Sequence, residues 1–113
     1  MLRGLADDRL AVALRQMHDR PRQAWTVVEL ARQAALSRST FFERFRREVG
    51  VAPMEYLLGW RMALAKDLLR REKSGIAQVN VDVGYVSTSA FSTAFARHVG
   101  TQPVLYGRKQ RTR

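Results

Sequence analysis

The chain has 113 residues and a mass of 12.9 kDa, enough for one domain or for two very small helical subdomains sharing a connecting helix, and too little for a large multidomain enzyme. Lys and Arg number 20 against 10 Asp and Glu, a formal net charge of +10 with 17 of the basic residues being Arg, so a polyanion is the first partner to test. The absence of cysteine excludes disulfides, thiolate nucleophiles and Cys-based zinc sites, and no apolar run approaches the roughly 18 to 20 residues that span a bilayer, so a soluble, cytoplasmic protein with no membrane partner is expected.

Over residues 8–20, Leu10, Ala13, Leu14 and Met17 fall at i, i+3, i+4 and i+7, the spacing of one face of a first helix that ends before Pro21. Thr26, with Glu29 three residues on, has the pattern of a capping box, and Val27, Leu30, Ala31 and Ala34 continue as the apolar stripe of a short second helix. Ser37 reads as the N-cap of a third helix whose Phe41 and Phe45 point to the core and which Gly50 closes. Only a tight turn separates the second helix from the third.

Pro53 suits the first position of a fourth helix, which meets no breaker until Ser74-Gly75 and carries Leu57, Trp60, Leu64 and Leu68 on one side. At 1.5 Å per residue it would be about 30 Å long. The stretch 76–86 is ambiguous. Val79, Val81, Val83 and Tyr85 alternate with polar residues as a strand would, while Ile76, Val79 and Val83 also fit a helical face.

An internal repeat resolves it. Residues 37–56 and 87–106 align without a gap at an offset of 50, sharing S-x-S-x-F-x-x-x-F-x-R-x-V-G-x-x-P-x-x-Y, nine identities in 20 positions. Upstream, 30–37 corresponds to 79–87 with one inserted residue, which makes the valine-rich segment the partner helix of a second helix pair. The chain therefore reads as two copies of a small helical unit joined by the long helix, followed by a short turn at Pro103 and a frayed basic tail.

Two short helices joined by a tight turn, the second opened by Ser or Thr, form the geometry that puts a helix N-terminus in a DNA major groove. A linker of about 30 Å is close to the distance of about 34 Å between successive major-groove faces on one side of B-DNA. The residues themselves resemble the DNA-binding domain of the AraC/XylS family of bacterial transcription regulators. The matching pieces begin with Leu30-Ala31-x-x-Ala34-Ala35-Leu36-Ser37-x-Ser39-x-Phe41-x-x-x-Phe45, Gly50-x-x-Pro53-x-x-Tyr56 and Trp60-Arg61-Met62-x-x-Ala65-x-x-Leu68-Leu69. They continue with Val83-Gly84-Tyr85-x-Ser87-x-Ser89-x-Phe91-Ser92-x-x-Phe95 and Gly100-x-x-Pro103-x-x-Tyr106, so the resemblance covers about residues 8–107.

The resemblance implies an all-α fold of about seven helices: a first helix-turn-helix subdomain over 8–52, a linker helix over 53–73, a second subdomain over 74–107 and a basic tail over 108–113. It implies sequence-specific binding of double-stranded DNA, with the third and sixth helices in successive major grooves. Carried over position by position, the groove-facing candidates are Arg38, Ser39, Phe42, Glu43 and Arg46 in the first unit and Thr88, Ser89, Ser92 and Thr93 in the second, with Phe41, Phe45, Phe91 and Phe95 in the cores. This sequence departs from the family where an Arg is common two residues before the second Phe, since those positions are Glu43 and Thr93. A carboxylate at Glu43 is repelled by the duplex unless it accepts from cytosine N4 or pairs with Arg38, Arg46 or Arg47, and the nearby arginines make pairing easy. Asn80 stands where a small residue is usual, and Tyr106-Gly107 where Tyr-Arg is common. The separate sensing or dimerisation domain usual in the family is not in this sequence, which reads as a fragment or a stand-alone variant with no small-molecule effector site.

An enzyme is not expected. His18 and His98 sit near helix ends, where capping or surface roles suffice, Asp7, Asp8 and Asp67 lack neighbours at metal-ligand spacing, and Trp25 and Trp60 read as packing residues. No Gly-rich phosphate loop and no cofactor motif occur. The competing class is a basic helical module docking on RNA polymerase or another regulator. The repeat favours DNA, because two equally spaced Ser-capped helices suit a repeating duplex and a protein surface need not reward them.

Overall fold

The computed structural model describes residues 7–71 and 75–111, and among them every regular element is an α-helix. The expected breaker Ser74, positions 72–73 of the linker and positions 112–113 of the tail lie outside the described residues. Seven helices follow one another: α1 (Asp8–Asp19), α2 (Val27–Gln33), α3 (Arg38–Val49), α4 (Pro53–Arg70), α5 (Ile76–Asp82), α6 (Thr88–Val99) and α7 (Pro103–Arg111). The ambiguous valine segment is helical, as the repeat requires. The chain divides into two units, Met1–Leu58 and Gly59–Arg113, with the boundary inside α4.

In the first unit, Asp7 caps α1 by accepting from the N–H groups of Arg9 and Leu10 at 3.0 and 3.3 Å, and Leu10, Ala13, Leu14 and Met17 turn inward. Thr26 Oγ1 accepts from Glu29 N–H at 3.1 Å, but the Glu29 carboxylate pairs with Arg32, so only half of the capping box forms. The core joins the α1 face to Trp25, Leu30, Ala31, Ala34, Phe41, Phe45 and Leu57. Trp25 is a packing residue, its indole N–H donating to the Arg20 carbonyl at 2.9 Å. Each fully buried Phe contributes roughly 1.5–3 kcal/mol relative to exposure.

The second unit is built from the rest of α4 with α5, α6 and α7. Here the expected face of α4 needs correction. Leu57 belongs to the first core, whereas the fully or nearly buried residues beyond it are Met62, Ala65 and Leu69, with Trp60, Leu64 and Leu68 only partly covered. One stripe was expected because a single helix usually buries a single face, and α4 instead supplies residues to two cores. A second correction concerns Pro103, which opens the nine-residue α7 rather than a short turn, so that residues 108–111 of the expected tail are helical.

The duplication is visible in detail. Phe41 and Phe45 have ring centroids 5.6 Å apart and Phe45 meets Tyr56 edge-on at 5.8 Å, while Phe91 and Phe95 are 5.7 Å apart and Phe95 meets Tyr106 edge-on at 5.6 Å. Such pairs add about 0.5–1.5 kcal/mol each beyond area burial. Gly50 and Gly100 close α3 and α6 in the left-handed region, at φ 100° and 95°. The repeat also reaches farther upstream than residue 30, for Arg9-Leu10-Ala11-Val12-Ala13 of α1 matches Arg61-Met62-Ala63-Leu64-Ala65 of α4 in an Arg-apolar-Ala-apolar-Ala pattern 52 positions on.

Candidate nucleic-acid interface

Both helix-turn-helix turns are made by the same backbone bonds. After α2, Ala35 N–H donates to Arg32 O and Leu36 N–H to Ala31 O, both at 3.0 Å; after α5, Gly84 N–H donates to Val81 O and Tyr85 N–H to Asn80 O, both at 3.1 Å. These are the paired bonds of a Schellman ending, whose central residue must be left-handed. Gly84 takes φ 92° without cost, while Ala35 takes φ 56° despite its Cβ, and Arg9 Nη1 donates to the Ala35 carbonyl at 3.0 Å. In the second turn Asn80, the buried polar side chain where the first unit has Ala31, is assigned with Nδ2 toward the carbonyls of Tyr85 and Ser87, 3.0 Å from each. The departure at Asn80 thus has a structural use.

Beyond each turn a serine opens the next helix. Ser37 Oγ accepts from Thr40 N–H at 3.2 Å and Ser87 Oγ from Ala90 N–H at 3.0 Å. The first turn of each helix faces solvent, leaving N–H groups and the positive end of the dipole available to an anion. With Phe41 and Phe45 buried, Arg38, Ser39, Glu43 and Arg46 are exposed on the outward arc of α3 and Phe42 is partly covered. On α6, Thr88, Ser89 and Thr93 are exposed and Ser92 is partly covered, opposite Phe91 and Phe95. Each set of candidates therefore shares one side of its own helix.

The electrostatics of the α3 arc differ from expectation. Arg44 pairs with Asp7 at 3.6 Å and Arg47 with Glu48 at 3.3 Å, whereas Arg38, Arg46 and Glu43 make no ion pair among the described residues. The expected pairing of Glu43 is absent among the described residues: Glu48 takes Arg47, and Arg38 and Arg46 are not drawn to Glu43. Exposed pairs of this kind are worth only about 0–1 kcal/mol and exchange easily. On α6 no residue from Thr88 to Ala96 is charged.

His18 is not the surface cap expected of it. Its Nε2 and the Tyr56 hydroxyl are hydrogen-bonded at 2.6 Å, tying the end of α1 to the start of α4 within the first unit. Burial lowers the His18 pKa from its ordinary value, partly opposed by Asp19, and burial raises that of Tyr56. In the second unit the Arg61 guanidinium lies over the Tyr85 ring, 5.9 Å from its centroid. Sequence reasoning missed Arg9 and Arg61, and the Arg-apolar-Ala-apolar-Ala pattern is the signal that finds them.

A family model described as a helix-turn-helix domain matches residues 30–109. A Streptomyces lividans protein described as an AraC-like transcription regulator is 47% identical over 102 residues, which cover 90% of this chain and 34% of that protein. The chain belongs to the AraC/XylS family. The transcriptional activator RclR of Escherichia coli is 36% identical to this AraC-type domain over 107 residues, covering 95% of it and 38% of RclR. The domain thus spans about a third of the length of the curated relatives it matches. Among solved structures, the DNA-binding domain of AdpA in complex with a target DNA is 30% identical with a TM-score of 0.87, covering 92% of this chain and 94% of that one. The C-terminal domain of AraT from Geobacillus stearothermophilus is 26% identical with a TM-score of 0.84, covering 93% and 85%. No helix of the AraC-type domain is long and apolar enough to cross a membrane, and no cluster of His, Asp and Glu able to hold a metal occurs among the described residues.

Proposed function

We propose that the domain binds double-stranded DNA with sequence selectivity to regulate transcription, α3 and α6 entering successive major grooves. The observation that carries this is the outward arc of α3, where an exposed, Ser-capped helix start bears Arg38 and the last turn bears Arg46 on the same side, neither ion-paired among the described residues, and the Ser-capped start recurs on α6. The likeness to the AdpA domain solved on its target DNA supports it. In this reading Arg38 and Arg46 serve phosphates or guanine O6/N7, Ser39 and Ser89 lie at the helix starts, and Thr88, Ser92 and Thr93 offer hydroxyls to base edges. Phe42 borders the groove, and Glu43 selects against phosphate unless it meets cytosine N4. The assignment divides the chain at 8–52, 53–73 and 74–107, with 108–113 adding basic charge, and places its work in the bacterial cytoplasm.

Selection of duplexes from a random pool by the purified chain tests this, with an enriched motif expected. If about five phosphates are neutralised, log K falls against log salt with a slope of about −4 to −5. No enrichment together with a slope near zero would overturn the reading. Docking on RNA polymerase is the second reading, favoured by Val104 and Leu105, half exposed on α7 beside the exposed Arg108. Equal affinity for an acidic polypeptide and for duplex would favour it.

A further inference from the structure

Val86 is the residue by which the two turns differ in length. The backbone bonds of the first turn recur 49 positions on through Leu36 and Tyr85, but Ser37 follows Leu36 directly while Val86 intervenes before Ser87. The apolar residue that braces a helix entry is also accounted for without it. Leu36 packs on the first core, and Tyr85 does this work in the second turn, its ring 5.8 Å from that of Phe91. Val86 is left 97% exposed, so nothing in the fold needs its side chain. Its backbone is nonetheless held, because the Asn80 amide donates to the carbonyls of the residues on either side. A β-branched side chain on a clamped backbone has few rotamers to lose on contact.

We propose that Val86 reads sequence by packing against a thymine C5-methyl group in the major groove. The inference rests on the DNA-binding reading and deepens it. Val86 stands immediately before the cap of α6 and next to Thr88 and Ser89. From Thr88 to Ala96 that helix has no charged side chain to make the bidentate contacts that read guanine, and the thymine methyl is the apolar group that base edges present in the major groove. An uncharged helix preceded by a fixed, exposed valine is built for apolar readout.

The test starts from the duplex selected by the chain, with each thymine replaced in turn by deoxyuridine, which removes only the methyl. Binding is measured for the chain and for Val86→Ser and Val86→Asn, neutral side chains without a methyl group at an exposed position, with folding checked by circular dichroism. At one thymine the replacement is expected to weaken binding by the chain about fourfold, the value of one buried methyl. Both variants should bind the thymine duplex correspondingly less well and no longer distinguish it from the deoxyuridine duplex. Unchanged affinity in the variants, retained discrimination, or a selected site with no methyl-sensitive thymine overturns the proposal while salt-dependent duplex binding persists. Loss of binding to every duplex by the unaltered chain would instead overturn the DNA-binding reading, and this inference with it.

Discussion

On the outward arc of α3, Glu43 is the side chain least suited to a polyanion. It is exposed and has no ion pair among the described residues, so its charge would meet a duplex unneutralised. Glu43→Arg should tighten binding to unselected duplexes by about 1–3 kcal/mol where a good bidentate or phosphate contact forms, measured by fluorescence anisotropy. Loss of binding, with a fixed cytosine in selected sites, would make Glu43 the reader of that base. His18 gives a second expectation at this scale. Burial depresses its folded pKa below the ordinary 6.5, so the fold favours neutral imidazole. The stability this contributes is present above about pH 6.5 and is lost as pH falls through the folded pKa. Melting temperature should therefore drop on acidification below pH 6.5, and His18→Gln should drop less; equal slopes would show that the His18–Tyr56 contact is not titrating.

At the level of elements, α3 and α6 share a scaffold and differ in chemistry. Replacing Arg38 and Arg46 together by Ala should cost more binding than replacing Thr88 and Thr93 together, because a charged contact to phosphate or guanine outweighs a hydroxyl contact; the reverse order in a filter-binding assay would reassign the two helices. Asn80→Ala should destabilise the chain by about 1–3 kcal/mol in urea unfolding, since it leaves carbonyls of the second turn without their donor, although Ala fills the matching position of the first unit. A change below about 0.5 kcal/mol would mean that water replaces the amide. The elements themselves were largely legible. Ser37, Gly50, Thr26 and Pro53 are local signals, and caps depend on neighbours within a turn. Val79, Val81 and Val83 were not legible by themselves, because a seven-residue helix that buries Val79, exposes Val81 and ends on the buried cap residue Val83 also alternates like a strand. The buried face of α4, the contact of His18 with Tyr56 and the pairing state of Glu43 depend on residues distant in sequence or on rotamers, which no local pattern encodes.

For the whole molecule, the +10 charge pointed to a polyanion, the repeat to two helical units and the motif residues to the family, and the repeat was understated, since α1 and α4 belong to it too. What pattern alone could not show is how far the copies have diverged. Arg against Thr, Glu against Thr, Ala31 against Asn80 and the additional Val86 make the two copies chemically unequal. A two-fold dimer imposes a palindrome on its site and looks the same from either end. Two unlike copies in tandem on one chain give the bound protein a head and a tail. Its site therefore has a direction, and turning that site end for end within a promoter, with the spacing held constant, should swap which copy lies nearer the transcription start and change the transcriptional output, while affinity for the isolated site stays the same.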